Sequence, residues 1–411
     1  MVQYIKTVIS ILFYRLIAMI VPKDDHSVVF GSWRGESFTD NSRYLAEYIG
    51  ERYPEYRLYW VGKPEIRDEV MRSPARLHFL EMGRWKTNLR VMRCKYCFVS
   101  QKYHVDISKY NLLHHTVICY LHHGTPVKKW GDDGLNKRKA RTKMEKFRDI
   151  LKARSVCYTF YASSSPLNSE ILCSAMKNCG CTIDKILKSG TPRNDLLINH
   201  HDQLPVSFRK KYFGLLGIHG EPKVIMYLPT YRRLEVDVFT FSDLTNPERR
   251  AIEKILEDNN AIIIEKSHFA ASRHENAASR GRIFFADQKC NVQEMLLFTN
   301  ILISDYSGAF LDFSLLDRPI IHFAYDYESY RDTDSGLYYE INEFNAGAIC
   351  YSFEEMCNAL DEELRDQDPF KDRRRQIRNK YMEYEQGKAS ELIFRSVIEN
   401  GNNHTRNGGR S

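Results

Sequence analysis

With 411 residues, 43% of them hydrophobic, the chain has the length and apolar content of a folded two-domain protein. A net charge of +7 and a pI near 8.7 are mildly basic, so the balance alone does not separate nucleic acid, anionic membrane and phosphorylated substrate as partners. Of the ten cysteines, only Cys94 and Cys97, and Cys179 and Cys181, stand close together, which excludes a zinc framework and fits reduced thiols in the cytosol.

Residues 1–22 open the chain as an amphipathic helix. Val2, Ile5, Ile9, Leu12, Leu16 and Ile20 share one face, while Gln3, Lys6, Thr7, Ser10 and Tyr14 share the other. Lys6 and Arg15 interrupt the apolar run and no small-residue cleavage site follows, unlike a signal peptide. Two readings stand: an interfacial helix lying on an anionic membrane, or a first helix packed on the protein's own core.

From residue 23 to about 198, short apolar runs alternate with helical stretches, the pattern of a parallel sheet covered by helices. The expected strands are 27–33, 56–62, 94–100 and 116–124. Between the last pieces lies NKRKARTKMEKFR (136–148), read as a solvated helix face or as a docking stretch for anionic lipid or polymer. A second α/β unit, 205–400, is expected to place strands at 223–230, 261–268, 282–287, 301–308 and 318–326. Residues 401–411 read as a disordered tail.

In open α/β sheets ligands bind beyond the carboxyl ends of the strands. The residues there are polar: His122, His123, Gly124 and Thr125 after one strand, then Thr230, Tyr231 and Arg232, then Lys266, Ser267 and His268, and finally Ser304, Asp305, Tyr306, Ser307 and Gly308. The last group starts a helix, where backbone N–H groups favour a phosphate; capping by Ser307 or Asp305 is the plainer reading. Lys266 and His268 add a cation and an imidazole that capping does not require. His123 is a turn residue or a general base. No phosphate-loop, dinucleotide or zinc motif is present, so no metal and no cofactor are expected.

Taken together, HHGTPVKKWG (122–131), SGTPRNDLL (189–197), MYLPTYR (226–232), EKSH (265–268), ISDYSGAFLDFSLLDRPIIHFAYDYESY (303–330) and GLYYEINEFNAGAI (336–349) resemble the CDP-glycerol glycerophosphotransferases, the family of teichoic acid primases and polymerases and related capsule polymerases. The resemblance implies an α/β fold of the GT-B type, with two Rossmann-like domains facing a cleft, the acceptor on the amino-terminal side and the donor on the carboxyl-terminal side. It also implies transfer of a polyol phosphate from a CDP-alcohol donor to a hydroxyl of a lipid-linked or polymeric anionic acceptor, releasing CMP. His123 would be the base and His268 the second catalytic histidine. Gly124, Thr125, Lys128, Thr230, Arg232, Lys266, Ser304, Asp305, Ser307 and Gly308 would bind substrate. Arg193, Asn194 and Asp195 would line the cleft or fix the hinge.

Three positions depart from the family pattern. Phe269 stands for the usual proline, Gly308 for the second serine of the DYSS element and Ser335 for an arginine, so ribitol or another polyol competes with glycerol. The expected location is the cytoplasmic face of the bacterial cell membrane, as a peripheral protein, with no nucleic-acid partner. Two alternatives accompany this reading: a GT-B glycosyltransferase using a nucleotide sugar, and a non-catalytic membrane-docked binder of anionic polymer.

Overall fold

Two fully parallel sheets organise the chain in the computed structural model, which describes residues 13–14, 16–110, 112–134, 156, 158–201, 205–230, 238–266, 280–287, 290–333 and 336–399. The first sheet has the order β3-β2-β1-β4-β5-β6-β7. Its strands are β1 (Asp24–Gly31), β2 (Arg57–Gly62), β3 (His78–Glu81), β4 (Cys94–Val99), β5 (Val117–Tyr120), β6 (Phe160–Ala162) and β7 (Ile186–Leu187). The second has the order β10-β9-β8-β11-β12-β13, from β8 (Lys223–Leu228), β9 (Ala261–Glu265), β10 (Ile283–Phe285), β11 (Ile301–Ser304), β12 (Ile320–Phe323) and β13 (Ala348–Cys350).

Both orders step outward from a first strand, return to its other side and continue, which is the doubly wound Rossmann arrangement. The central strands are apolar runs because helices cover both faces: all six residues of β4 and all five of β9 are buried. These long runs are the ones visible in the sequence. The strands missing from that reading, β3, β6, β7 and β13, have only two to four residues and show too little of a period to be recognised.

Contacts divide the chain into two units. One takes the described residues of Met1–His123, Lys137–Asp195 and Tyr384–Ser411, and the other those of Gly124–Asn136 and Leu196–Glu383. The carboxyl-terminal segment therefore packs in the first core and not, as a continuous 205–400 unit would have it, in the second. Ile393, Phe394, Val397 and Ile398 share a buried cluster with Val28, Phe30, Leu45 and Trp60. Phe394 stacks on Tyr53 with ring centroids 3.7 Å apart. Asp195 fixes the entry of this segment, its two carboxylate oxygens each accepting a 2.8 Å hydrogen bond, from the N–H groups of Ala389 and Ser390 at the start of the helix Ala389–Phe394.

Near the amino terminus, residues 16–20 are helical. Ala18 is buried while Phe13, Leu16, Met19 and Ile20 are exposed. No helix among the described residues is long and apolar enough to cross a membrane. Residues 1–12 and 15 of the amphipathic 1–22 stretch, the whole of the basic 136–148 run and the 401–411 tail lie outside the described residues.

Because Phe394 is fully enclosed in the first core, Phe394→Ala should cost about 3–5 kcal/mol. Urea denaturation checks this, and the loss should fall on the transition of the first unit.

Candidate functional site

The place to look in a doubly wound sheet is beyond the carboxyl ends of the two strands where the order reverses. In the first unit these are β1 and β4. The loop after β1 holds Trp33, Arg34 and Gly35 in left-handed backbone conformations, with φ of 44°, 58° and 70°. Asp106 clamps this loop to the one after β4. Its buried carboxylate accepts from the Arg34 N–H at 3.2 Å and the Gln101 N–H at 2.7 Å, and burial lifts its pKa to about 7 against the lowering effect of those bonds.

His122 and His123 follow β5. His122 is buried with φ 60°, and burial first, then the neighbouring His123 and Arg193, hold its pKa well below the usual imidazole value; it stays neutral. His123 is exposed. Its Nδ1 faces the Ser100 carbonyl at 3.4 Å. A carbonyl only accepts, so in the neutral ring this contact puts the proton on Nδ1 and the basic lone pair on Nε2. Around it, Arg193 donates from one guanidinium nitrogen to the His123 carbonyl at 2.8 Å and to Asp40 Oδ1 at 3.0 Å. The other Asp40 oxygen accepts from the Trp33 indole N–H at 3.0 Å, and the Trp33 ring meets the His123 ring edge-on at 5.8 Å. Asn41 donates to the carbonyls of Leu121 and His122.

Asp40 is itself left-handed, with φ 67°. Four of the ten non-glycine residues with positive φ among those described, Trp33, Arg34, Asp40 and His122, thus surround one exposed histidine. Such conformations persist only where the surroundings over-determine them.

In the second unit the reversal lies between β8 and β11, and again a buried carboxylate joins the two loops. Asp305 accepts from the Thr230 N–H at 2.9 Å, the Thr230 hydroxyl at 2.5 Å and the Tyr306 N–H at 2.6 Å. His322, on β12 and fully buried, lies behind it. The Ala346 N–H donates to His322 Nε2 at 3.0 Å, so Nδ1 carries the proton and donates to the Asp305 carbonyl at 3.3 Å. Burial depresses the His322 pKa to about 4. Ser304 donates to the Leu228 carbonyl at 3.0 Å. Lys266 is half-buried, with its ammonium on the Asp287 carbonyl at 2.6 Å, and burial lowers its pKa.

The chain 124–134 belongs to this unit and pairs with the loop 336–338. Lys128 bridges to Leu337 in antiparallel fashion, Lys129 N–H donates to the Gly336 carbonyl at 2.9 Å and the Tyr338 hydroxyl to Asp133 at 2.6 Å. Two motifs far apart in sequence, GTPVKKWG and GLYY, are therefore one structural element. Thr125 is buried, its hydroxyl on Met382 Sδ at 3.4 Å, and its carbonyl presses on Gly308: a Cβ there would stand 2.5 Å from that oxygen. A serine at 308 would require this backbone to shift.

The family model described as CDP-Glycerol:Poly(glycerophosphate) glycerophosphotransferase matches residues 12–399. The chain belongs to this family. It is 25% identical over 400 residues to the teichoic acid poly(glycerol phosphate) polymerase of Bacillus subtilis (strain 168), covering 93% of this chain and 50% of that one; the chain thus spans half the length of that relative. Against the teichoic acid glycerol-phosphate transferase of Staphylococcus aureus the identity is 25% over 375 residues, covering 90% and 92%. Among solved structures, the wall teichoic acid polymerase TagF superposes with a TM-score of 0.80 at 20% identity over 97% of this chain and 96% of that one. The two Rossmann-like domains are thus the fold of that polymerase.

The structure distributes the expected site residues of this family member over several jobs. His123 and Arg193 come together in the first unit. Asn194 is buried and bonds Thr191 Oγ1 at 3.0 Å, and Asp195 caps the carboxyl-terminal segment, so both build the fold of the first unit. In the second unit Thr230 and Asp305 bond each other and Ser304 its neighbouring strand. Ser307 and Gly308 are half-buried at the start of the short helix Ala309–Ser314, and Gly124 has φ 135°. Arg232, His268, Phe269 and Ser335 lie outside the described residues. Among the described residues no cluster of His, Cys, Asp and Glu could hold a metal. Trp33, Asp40, Asp106 and His322 escape the sequence reading; His322 alone left a signal there, as a lone polar residue inside the apolar run PIIHF.

The depressed pKa of His322 has a pH consequence. Between its unfolded value near 6.5 and its folded value near 4 the unfolded chain binds a proton that the native chain does not, so stability falls as pH falls through that window, by about 3 kcal/mol in all. His322→Gln keeps a donor and an acceptor but does not titrate; its urea midpoint should lose less than that of the wild type when pH is lowered from 6.5 to 4.

Proposed function

We propose that the protein moves a polyol phosphate, with glycerol phosphate as the first candidate, from a CDP-alcohol to a hydroxyl on a lipid-linked or growing teichoic-acid-like or capsular polymer, releasing CMP. The observation that carries this reading is the family match across residues 12–399. Relatives named for glycerol-phosphate and ribitol-phosphate polymers support it, as does a solved histidine-to-asparagine variant of TagF soaked with CDPG.

In this reading the acceptor oxygen attacks the β-phosphorus of the donor while its proton passes to His123 Nε2. The phosphorus–oxygen bond to CMP breaks as the new one forms, and CMP leaves with the bonding pair. The Ser100 carbonyl supports the role of His123 by setting the tautomer, and Arg193, anchored on Asp40, supports it by holding the His123 backbone; Asp40 and Arg193 are positioning residues. Negative charge on the phosphoryl oxygens calls for fixed donors and cations, a role for Lys266 and for Arg232 and His268. The Asp305 clamp supports a substrate-binding role for Thr230 by fixing its N–H and hydroxyl.

Wild-type protein incubated with CDP-glycerol, CDP-ribitol and a panel of nucleotide sugars, with a membrane extract as acceptor source, should release CMP from a CDP-alcohol alone. Sugar transfer without CMP would overturn the reading in favour of a nucleotide-sugar enzyme, a use that the fold shared with UDP-N-acetylglucosamine 2-epimerase at a TM-score of 0.53 also serves. His123→Ala should lose about 10²–10⁴-fold in turnover and keep its affinity for the CDP-alcohol.

We further propose that the protein sits peripherally on the cytoplasmic face of the membrane through its amino-terminal helix. The exposure of Leu16 and Ile20, both on the apolar face of the wheel, supports docking over core packing. Leu16→Ser with Ile20→Ser should reduce co-sedimentation with phosphatidylglycerol vesicles while leaving turnover of a soluble acceptor unchanged.

A further inference from the structure

The carboxyl rim of the first sheet continues well past His123. Since every strand pair in this sheet is parallel, the ends of β5, β4, β1, β2 and β3 follow one another along a single edge. The farthest of them, β3, opens into a groove of about 440 Å³ lined by Phe79, Leu80, Glu81, Arg84, Trp85, Lys86, Thr87 and Arg90. It has the chemistry of a binding surface. Trp85 is 60% exposed, an uncommon cost for a tryptophan with no partner to cover it. Three cations line the same groove: the Lys86 ammonium stands 5.9 Å from the indole centroid, while the Arg90 guanidinium lies over the Tyr59 ring at 5.3 Å. Only Arg84 is matched by an acid within the groove, Glu81 at 2.8 Å.

Between this groove and His123 the rim carries exposed cations at Arg34 after β1, at Lys63 after β2 and at Lys102 after β4, with Lys63 paired to Glu36 and one exposed acid, Glu65, beside it. Four strand spacings separate β3 from β5, about 19 Å at 4.8 Å each. An extended polyanion with its end at His123 would pass these cations in turn and reach the tryptophan.

We infer that this rim is a track for the acceptor chain, and that the Trp85 groove is its distal subsite, taking a polyol-phosphate segment several units back from the reacting hydroxyl. The ligand follows from the chemistry of the groove. Phosphodiesters pair with Arg84, Lys86 and Arg90, and the carbon face of a polyol lies against the indole. A neutral glycan would leave the cations unmatched, and a purely apolar ligand would bury them. The inference rests on the transferase reading, which puts the reacting end at His123.

The test uses the full chain and fluorescently labelled glycerol-phosphate oligomers of two and eight units, titrated by anisotropy with no donor present. The combined variant Arg84→Ser, Trp85→Ala and Lys86→Ser changes exposed side chains only and should melt as the wild type does. It should weaken the longer oligomer about tenfold, flatten the salt dependence of its binding, and leave the shorter one within about twofold. Equal affinity of wild type and variant for the longer oligomer, or an equal loss for both lengths, would overturn the track. So would a variant that keeps the longer oligomer but no longer binds phosphatidylglycerol vesicles, which would give the groove to a lipid surface. CMP release from CDP-glycerol, scored in parallel on the wild type, decides only the transferase reading, so the two ideas fail separately.

Discussion

Each sheet depends on a carboxylate buried where its strand order reverses. At that point two adjacent strands send their connections to opposite faces, so the loops diverge and the first N–H groups beyond the ladder lose their partners. An unbonded buried N–H costs about 1–3 kcal/mol. Asp106 in one unit and Asp305 in the other each accept from the loops on both sides of the reversal. The burial needed for this is costly, as the rise of Asp106 to a pKa near 7 records. In return the two loops at each reversal are tied to one rigid point.

The surroundings of His123 depend on the first of these clamps. Asp106 holds the Arg34 N–H and, with it, the left-handed turn that brings Trp33 to Asp40. Asp40 in turn anchors Arg193, and Arg193 the His123 carbonyl. The links are hydrogen bonds, partly buried up to Arg193 and exposed in the last one to the His123 carbonyl, so each restricts the next, and strain at Trp33, Asp40 and His122 is maintained by the chain of contacts as a whole. The imidazole at its end is exposed, yet its backbone is held on two sides. That combination suits a base that meets its substrate from solvent and must do so at one angle.

Much of the fold was legible in the sequence because long buried strands announce themselves as apolar runs and because ligand sites lie beyond their carboxyl ends. That rule pointed to His123, Thr230, Lys266 and Asp305, which do stand just beyond the ends of β5, β8, β9 and β11. It could not tell what each faces. Ser304 and Asp195 are polar residues at the right places whose partners are the protein's own backbone, and in sequence they look the same as residues facing a ligand. Trp33, Asp40 and Asp106 were missed for the complementary reason: their importance lies in contacts made across dozens of residues and in left-handed backbone geometry that Trp and Asp do not advertise. The placing of residues 384–399 with the second unit failed likewise, since helical periodicity shows that a face is apolar and says nothing of which core receives it.

That last arrangement bears on how the protein is made. The second unit's long segment, Leu196–Glu383, is threaded into the sequence of the first, and the first core includes Phe394 and Ile398. During translation, at roughly 5–20 residues per second, the amino-terminal sheet leaves the ribosome and then waits on the order of ten to forty seconds before the residues that close its core are synthesised. Throughout that interval Tyr53, Trp60 and their neighbours lack their final covering. The inserted unit has its own core sequence complete before the first can finish, so the order of emergence from the ribosome and the order of maturation are reversed.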